Sequence, residues 1–303
     1  MKHLVALACL ALTLICTDSQ ACLNYYVLDS SGHRHPYDEY PLSGITVSAR
    51  YKISRVKELE KKLSAAPAAT RYQYVSNYCA ALIEAGRFKE AIPMLERLVK
   101  EQPEEYEVNA NLAVAYELNG QLTEALSYLK KSMAISPDSH RSSEWFHVKV
   151  LEAAIVIRDT GKDVRDMDVL QLQDRAGEAT ETGAQLSYQL HERLPLTGAP
   201  NALLHKVLEE SADYYQAHLS LEWAIELYAI AIGYADDASA APRLWEKINL
   251  AHEKLIEFRE QGKEGTVSKY LYKPDWKNKI TALIGKWRNY KPYYYNQPVT
   301  TAY

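Results

Sequence analysis

The chain has 303 residues, of which 47% are hydrophobic and 24% are charged. This composition is close to the average for globular proteins, which excludes disorder along the whole length. The formal net charge of −4 argues against attraction of the whole chain to nucleic acid or to an anionic membrane. Residues 263–303 carry eight Lys/Arg against two acidic residues, and the charges within 1–21 cancel, so residues 22–262 carry −10. The chain is therefore an acidic body with a basic tail.

Residues 1–21 have the three parts of a secretory signal peptide. Lys2 gives a positive start, residues 4–16 form an apolar run, and Ser19 and Ala21 place small side chains where a signal peptidase cleaves. The run is too short to span a bilayer as a helix. The sequence therefore predicts a signal peptide at residues 1–21 and export to the periplasm or the exterior.

Membrane attachment by other means is less favoured. No later stretch reaches the length of apolar sequence that a spanning helix needs, so no transmembrane segment is predicted. Lipid anchoring at Cys16 or Cys22 is the alternative to a freely exported chain. The residues three positions earlier are Thr13 and Ser19, where a lipobox usually has Leu or Val, and this mismatch argues against a lipoprotein.

Cleavage after Ala21 would leave Cys22 and Cys79 as the cysteines of the exported chain. Two cysteines in an oxidising compartment can form one disulfide. Alternatively, Cys79 occupies a small buried position on a helix and serves as a small hydrophobic residue, with Cys22 free or lipidated. The sequence leaves both alternatives open.

Residues 22–50 are rich in tyrosine and are interrupted by proline and glycine, which predicts an irregular or short-strand N-terminal cap. Such a cap would cover the apolar end of a stack of helices. His33 and His35 lie two residues apart, so an extended backbone would place both imidazoles on one face, as a metal site requires. Because the spacing fixes no third ligand, they are weak metal candidates, and no cofactor is predicted.

Residues 51–160 are predicted to form one helix followed by helix pairs. The predicted helices are 51–66, 72–85, 88–100, 106–119 and 123–135. One constant spacing relates the two pairs, through Gly86 and Gly120, Ala91 and Ala125, Leu95 and Leu129, and Pro103 and Pro137. Each glycine falls between the helices of its pair, where the chain needs a left-handed residue, and each proline ends a pair.

This period and its punctuation resemble those of tetratricopeptide repeats, which are helix–turn–helix units of about 34 residues each. The second pair carries the specific match, at Leu112, Ala113, Tyr116, Gly120, Ala125 and Pro137. The first pair departs from it, with Tyr78, Cys79 and Leu82 at the corresponding positions. The resemblance implies an all-α, tetratricopeptide-like helix-turn-helix solenoid with an irregular N-terminal cap. The chain as a whole resembles exported bacterial, Bacteroidetes-like tetratricopeptide proteins, which generally lack an assigned activity.

The pattern becomes less regular after the second pair. Residues 142–159 resemble the first helix of a third repeat, without the standard glycine at its end. Residues 161–200 are predicted to be an insertion or linker, with a strand or linker at 168–173 and a short helix at 185–194. The pattern returns in residues 201–262.

The late repeat-like pair of residues 201–262 has Ala224, Tyr228 and Ala231 at the alanine, aromatic and alanine positions of a second helix. A capping helix with one apolar stripe follows, beginning near Pro242. The match to the repeat pattern is weaker here than at residues 70–137.

Residues 263–303 form a basic, aromatic tail with one predicted helix, which Asp275 would cap. Opposite charge favours intramolecular docking of this tail onto the acidic body, in or beside the groove. Binding to nucleic acid is disfavoured for an exported protein, and binding to an anionic membrane or wall surface is the remaining alternative.

The sequence contains no phosphate-binding glycine loop, no HExxH, no GxSxG and no paired CxxC. The predicted function is therefore a non-catalytic scaffold. The alternative is a metal-dependent or hydrolytic accessory enzyme of the cell envelope, which would need a catalytic site assembled from distant residues.

The resemblance implies that the first helix of each pair lines a concave groove that binds a protein or peptide. The ligand-facing repeat positions fall on Ser76, Ala80, Glu84, Ala110, Val114, Glu117, Glu144, Val148, Glu152, Glu209 and Asp213. Carboxylates beside small residues would make the groove acidic and give it a preference for basic partners. The lysine–asparagine clamp with which some family members hold a peptide carboxylate is missing. An ordinary solvated helix face is the alternative.

Overall fold

The structure is a computed structural model of the chain, and it describes residues 27–28, 34–35, 49–261 and 269–292. The predicted signal peptide, Cys22 and His33 therefore lie outside the described residues, as do residues 293–303 of the tail. Within the predicted cap, β1 (Val27–Leu28) pairs antiparallel with β2 (Arg34–His35), with Val27 opposite His35. The backbone of His35 is thus placed in a strand.

The rest of the described chain is helical, which confirms the predicted all-α fold. The α-helices are α1 (Ala49–Ser64), α2 (Arg71–Glu84), α3 (Phe88–Glu101), α4 (Tyr106–Leu118), α5 (Leu122–Ile135), α6 (Ser139–Ser142), α7 (Glu144–Thr160), α8 (Ala179–Arg193), α9 (Ala202–His218), α10 (Leu221–Tyr234), α11 (Ala240–Glu260) and α12 (Trp276–Arg288). Each helix from α1 to α5 packs on the next, and α9 to α11 do the same, as in a solenoid.

Glycine ends the first helix of each early pair. Gly86 and Gly120 have φ of 74° and 79°, a left-handed conformation that only glycine adopts without steric cost. The backbone N–H of the residue after each glycine donates back to the helix, from Arg87 to the Leu82 carbonyl at 2.7 Å and from Gln121 to the Tyr116 carbonyl at 2.9 Å. The two turns are therefore the same motif, repeated one period apart.

Small side chains allow the helices of each pair to approach closely. Ala91 on α3 and Ala125 on α5 are completely buried, as are Leu95 and Leu129 one turn further along. Cys79 on α2 is also buried, with a free thiol. Burial raises the pKa of this thiol to about 12, so it is an inert, small hydrophobic residue of the core.

The third repeat starts with a left-handed turn. His140, Arg141 and Ser142 in α6 all have positive φ, so the right-handed helix α7 begins at Glu144 rather than at residue 142. The helix ends at Thr160, one residue after the predicted end, although its terminating glycine, Gly161, comes later than in the first two repeats. Gly161 has φ of 67° and closes α7 as a left-handed C-cap.

The insertion holds a longer helix than predicted and no strand among its described residues. Residues 168–171 are an irregular segment with a bend, and a 3₁₀ helix begins at Leu172. The backbone N–H groups of Val169 and Leu170 donate to the side chain of Glu210 on α9 at 2.9 and 2.8 Å. With those donors bonded to a carboxylate, there is no ladder for a strand to join. The short helix expected at 185–194 is α8, which starts six residues earlier, at Ala179.

The late helix pair, α9 and α10, is built as expected. Asn201 caps α9 by accepting from the Leu204 N–H at 2.7 Å, and Ser220 caps α10 through the Trp223 N–H. Ala224, Tyr228 and Ala231 are completely buried on α10. Helix α11 then begins at Ala240, two residues before Pro242.

The described part of the tail contacts the body through α12. Ile280, Ile284 and Trp287 are buried where α12 packs against α10. Asp275 lies at the N-cap position, but its side chain makes no capping hydrogen bond; its carbonyl accepts from the Asn278 N–H at 2.9 Å instead. Among the described residues no helix is both long and apolar enough to cross a membrane.

The contact between α10 and α12 depends on the absence of a side chain at Gly233. A Cβ there would lie 2.7 Å from Cβ of Trp287 and 3.2 Å from backbone atoms of Ile284 and Arg288. We expect Gly233→Ala to lower the free energy of unfolding by about 1–3 kcal/mol, because the α12 backbone must move away. Urea unfolding followed by tryptophan fluorescence measures this loss.

Gly285→Ala, inside α12 itself, is the matched control for this substitution. A Cβ at Gly285 meets no atom within 4 Å, so this change should be neutral or should stabilise the helix by about 0.5–1 kcal/mol. Equal effects of the two substitutions would contradict the packing of α12 on α10.

Candidate functional site

The groove positions of the first two repeats are buried. Ser76, Ala80, Ala110 and Val114 are at most 3% exposed, and the Ser76 hydroxyl accepts a hydrogen bond from Asn111 at 3.1 Å. Glu84 is 5% exposed. These side chains therefore do not form an ordinary solvated helix face. Partner binding by these residues stays a prediction.

Glu117 and Glu144 lie in a buried ionic network between α4, α7 and α8. Glu117 contacts Nε2 of His147 at 2.6 Å and a guanidinium nitrogen of Arg193 at 2.7 Å. Glu144 contacts Nδ1 of His140 at 2.9 Å and accepts from the Tyr106 hydroxyl at 2.7 Å. These carboxylates, predicted to line an acidic groove, are neutralised within the chain.

The charges of this network support one another. Burial alone would raise the pKa of Glu117, but Arg193 and His147 outweigh it and lower that pKa to about 2. The pKa of Glu144 is lowered as well, against the effect of burial, by His140 and His147. Burial alone would lower the pKa of His147, but the carboxylate of Glu117 raises it. Glu117 and Glu144 are therefore ionised carboxylates that hold three helices together.

Helix α8 of the insertion covers this face with polar side chains at steps of four residues, Gln185, Gln189 and Arg193. Gln185 donates to the Arg141 carbonyl at 3.0 Å and accepts from Nε1 of Trp145 at 2.6 Å. Gln189 donates to the Ser143 hydroxyl at 2.9 Å. The side of α8 that faces α6 and α7 is thus matched to them by hydrogen bonds.

The left-handed turn α6 presents His140 to this network. The ring of His140 lies 5.0 Å from that of Tyr188 on α8 and 5.9 Å, edge-on, from that of Tyr106 on α4. Left-handed backbone costs roughly 1–2 kcal/mol per residue outside glycine. The contacts of His140 and the hydrogen bond to the Arg141 carbonyl hold the turn in this conformation.

The later groove positions are arranged differently, as two rows of side chains on α9 and α11. The carboxylate of Glu209 binds the guanidinium of Arg243, and Asp213 accepts from Nζ of Lys247 at 2.6 Å. The two residues of each pair are 34 residues apart in the sequence. Gln216 and Leu250 extend the rows in the same register, so α11 repeats the register of α9.

In these two rows, which we call the α9/α11 face, Glu209 is buried, and the side chains on either side of it are open to solvent. The side chains of Asp213 and Arg243 are each 49% exposed, and Leu250 is 57% exposed. Burial alone would raise the pKa of Glu209, but the hydrogen bonds from Arg243 and Lys247 lower it to about 2. The α9/α11 face therefore carries fixed, alternating charges.

The remaining predicted residues lie apart from both clusters. Val148 and Glu152 are half-buried, and the Glu152 carboxylate is bound to Lys130 at 2.8 Å. The described residues contain no group of three or more His, Cys, Asp and Glu that could hold a metal. For the weak metal candidates, His33 lies outside the described residues, and only the backbone of His35 is described.

The cations that complete both clusters were not predicted from the sequence. Arg193 is 76 residues from Glu117, and no local pattern connects them. Arg243 and Lys247 could have been found, because adding one repeat period to Glu209 and Asp213 leads to them directly. That step would also have identified α11 as the first helix of a further repeat instead of a cap.

Substitution of Glu117 measures what the buried network contributes. We expect Glu117→Gln to lower the free energy of unfolding by about 3–5 kcal/mol, because it removes the buried carboxylate that both Arg193 and His147 contact. The matched control is Glu152→Gln on α7, which removes an exposed ion pair and should cost less than about 1 kcal/mol. Urea unfolding measures both, and equal losses would show that the network does not stabilise the fold.

Comparison with known proteins identifies the repeats. A family model of the tetratricopeptide repeat matches residues 82–144, which contain α3, α4, α5 and the last turn of α2. A search of curated proteins and a search of solved structures each gave no match to the chain. The matched residues include both left-handed glycine turns and the first charged residue of the network on α7, Glu144. Residues 82–144 of this chain therefore match the tetratricopeptide repeat.

Proposed function

We propose that this chain is an exported, non-catalytic scaffold that holds a protein or peptide partner on the α9/α11 face. One observation carries the proposal: two rows of side chains stand in register, one repeat period apart, and Asp213, Arg243 and Leu250 among them stay open to solvent. Tetratricopeptide repeats are interaction modules, and the first helices of the repeats supply their ligand-facing side chains.

The first repeats are less suited to this task in the described structure. Ala110 and Val114 on α4 are buried, and Glu117 is bound to His147 and Arg193. A partner that approached Glu117 would have to break a buried ion pair, which costs several kcal/mol. Exposed side chains on α9 and α11 can be contacted without such a cost.

The charges of the α9/α11 face favour a partner of mixed character. Its carboxylates are already matched by Arg243 and Lys247, so a purely basic segment gains little from them and is repelled by the cations. Leu250 adds an exposed apolar contact at the end of these rows. We therefore infer that the partner is a segment with both signs of charge and a contact for one apolar side chain, and not the basic segment expected from the sequence.

Export and the role of the tail belong to the same proposal. The signal peptide at residues 1–21 would deliver the scaffold to the envelope or the exterior. Residues 269–292 contact α10 through α12, α11 through the Leu271 carbonyl, which lies 2.8 Å from Nε2 of His252, and the insertion through the Tyr290 hydroxyl, which donates to the Pro195 carbonyl at 2.9 Å. This described part of the tail then acts as an end cap of the solenoid.

A photocrosslinking amino acid at Gln216 or at Leu250 tests the proposed surface. In cells of the native host, we expect each position to give a discrete crosslinked adduct with one partner. The same group at Lys89, exposed on α3, is the control and should give none. A second substitution, Leu250→Asp, should weaken the adduct from position 216 without changing the melting temperature, because the Leu250 side chain is exposed. Adducts of equal yield from position 89 would contradict the proposal.

Export is tested by the N-terminus of the mature protein. Mass spectrometry of protein purified from the native host should find a chain that begins at Cys22, because the residues before it match a signal-peptidase site. A lipid-modified Cys22 would support anchoring instead of free export. A chain that retains residues 1–21 in the cytoplasm would remove export from the proposal and leave the α9/α11 face unaffected.

A further inference from the structure

A polar pocket of about 270 Å³ opens where the insertion meets α9 and the start of α11. Its wall is formed by Arg165, His205, Lys206, Glu209, Asp237, Ser239, Ala240 and Arg243. Three of these residues are cationic and two are carboxylates. The pocket is close to the lower end of the range of volumes in which proteins bind small molecules, roughly 300–1,000 Å³.

Both carboxylates of the wall are already satisfied within the chain. Glu209 is bound by Arg243 and Lys247. Asp237 accepts from the backbone N–H groups of Ser239 and Ala240 at the start of α11, and it contacts Arg165 at 3.3 Å. Neither carboxylate is therefore free to attract a cation into the pocket.

Lys206 has donors to spare. Its nearest partner is Glu210 at 3.6 Å, and that carboxylate already accepts the backbone N–H groups of Val169 and Leu170. The side chain of Lys206 is only 22% exposed, so its ammonium group is partly withdrawn from water at the pocket wall. A partly desolvated ammonium with unused donors attracts an anion.

His205 adds an acceptor to the same wall. The residue is 6% exposed, and its Nδ1 lies 2.8 Å from the Ala231 carbonyl, so Nδ1 carries the proton in the neutral ring. Its Nε2 has no hydrogen-bond partner in the described part of the chain, and the ring lines the pocket. In the neutral ring, Nε2 is thus an acceptor for a hydroxyl or amino group.

We propose that this pocket binds a small hydroxylated oxyanion, whose carboxylate or phosphate group contacts Lys206 and Arg165 and whose hydroxyl donates to Nε2 of His205. Carboxylates and phosphates share the charge and the acceptor oxygens that these cations recognise. Arg165 is 61% exposed at the pocket mouth, where it can turn toward a ligand from its pairs with Asp163 and Asp237. The ligand is a small molecule and is distinct from the protein partner of the α9/α11 face.

Isothermal titration calorimetry of the full mature chain tests the site with defined probes. Malate and glycerol 3-phosphate carry a hydroxyl beside an oxyanion, succinate lacks the hydroxyl, and glycerol lacks the charge. We expect saturable binding of malate or glycerol 3-phosphate at millimolar concentration or below, and the tighter of the two identifies carboxylate or phosphate as the preferred group. Succinate should bind less tightly than malate, and glycerol should not bind.

Lys206→Gln and Arg165→Gln should each weaken this binding by roughly tenfold, since a charge-assisted hydrogen bond is lost. The control is Lys130→Gln, which removes the same charge from an exposed site on α5 and should leave binding unchanged. Arg165 is largely exposed, so that variant should fold even where Lys206→Gln does not. Absence of heat with all four probes up to about 10 mM, or equal affinity in the Lys206 and Lys130 variants, would overturn the proposal.

Discussion

Contacts between side chains one repeat period apart are the constraint on which the rest of the solenoid depends. Glu209 meets Arg243, Asp213 meets Lys247, and the ring of Tyr106 meets that of His140 at this separation. When each helix pair has the same length and turn, equivalent positions of neighbouring first helices fall side by side. Glycine at 86 and 120 keeps that length constant, because its left-handed conformation closes each first helix at the same point.

The insertion between α7 and α9 interrupts this register, and a buried ionic network compensates for the interruption. Arg193 at the end of α8 reaches Glu117 on α4, and His147 on α7 contacts the same carboxylate. Desolvating such charges is costly, and the attraction between them repays the cost only when all partners are in place. The network therefore stabilises one relative arrangement of the three helices, which ordinary apolar packing would specify less tightly.

Much of the fold could be predicted from the sequence because the repeat is encoded locally. Gly120, Ala125 and Pro137 mark a turn, a close contact and an end, and each role depends on the residue type alone. The helix boundaries before residue 137 consequently lie within one or two residues of those expected. Of the strand and the linker considered at 168–173, the structure has no strand, and the reason is non-local, since Glu210 on α9 accepts from the backbone donors of this stretch.

The candidate sites were less predictable because charge compensation is a property of the fold. Glu117, Glu144 and Glu209 were identified as groove carboxylates from the repeat pattern, which says nothing about Arg193, 76 residues away from Glu117. A groove that its carboxylates predict to be acidic is therefore neutralised in the folded chain by cations from other helices. For Glu209 the sequence does locate the compensating cation, because Arg243 lies one repeat period further along the chain and equivalent positions of neighbouring repeats contact each other.

The two repeat regions thus share one register but differ in exposure. In the first region α8 covers the face of the helices, and in the second the face between α9 and α11 is open. Arg243 belongs both to the α9/α11 face and to the wall of the polar pocket. Under the two proposals made for this half of the chain, an oxyanion held by Lys206 and Arg165 would lie beside Arg243 and would also attract it away from Glu209. The charge that Glu209 presents to a protein partner would then change, so the ligand would alter partner affinity and the partner would alter ligand affinity by the same factor. Coupling of this kind needs no movement of a helix, because the shared side chain lies between the two sites.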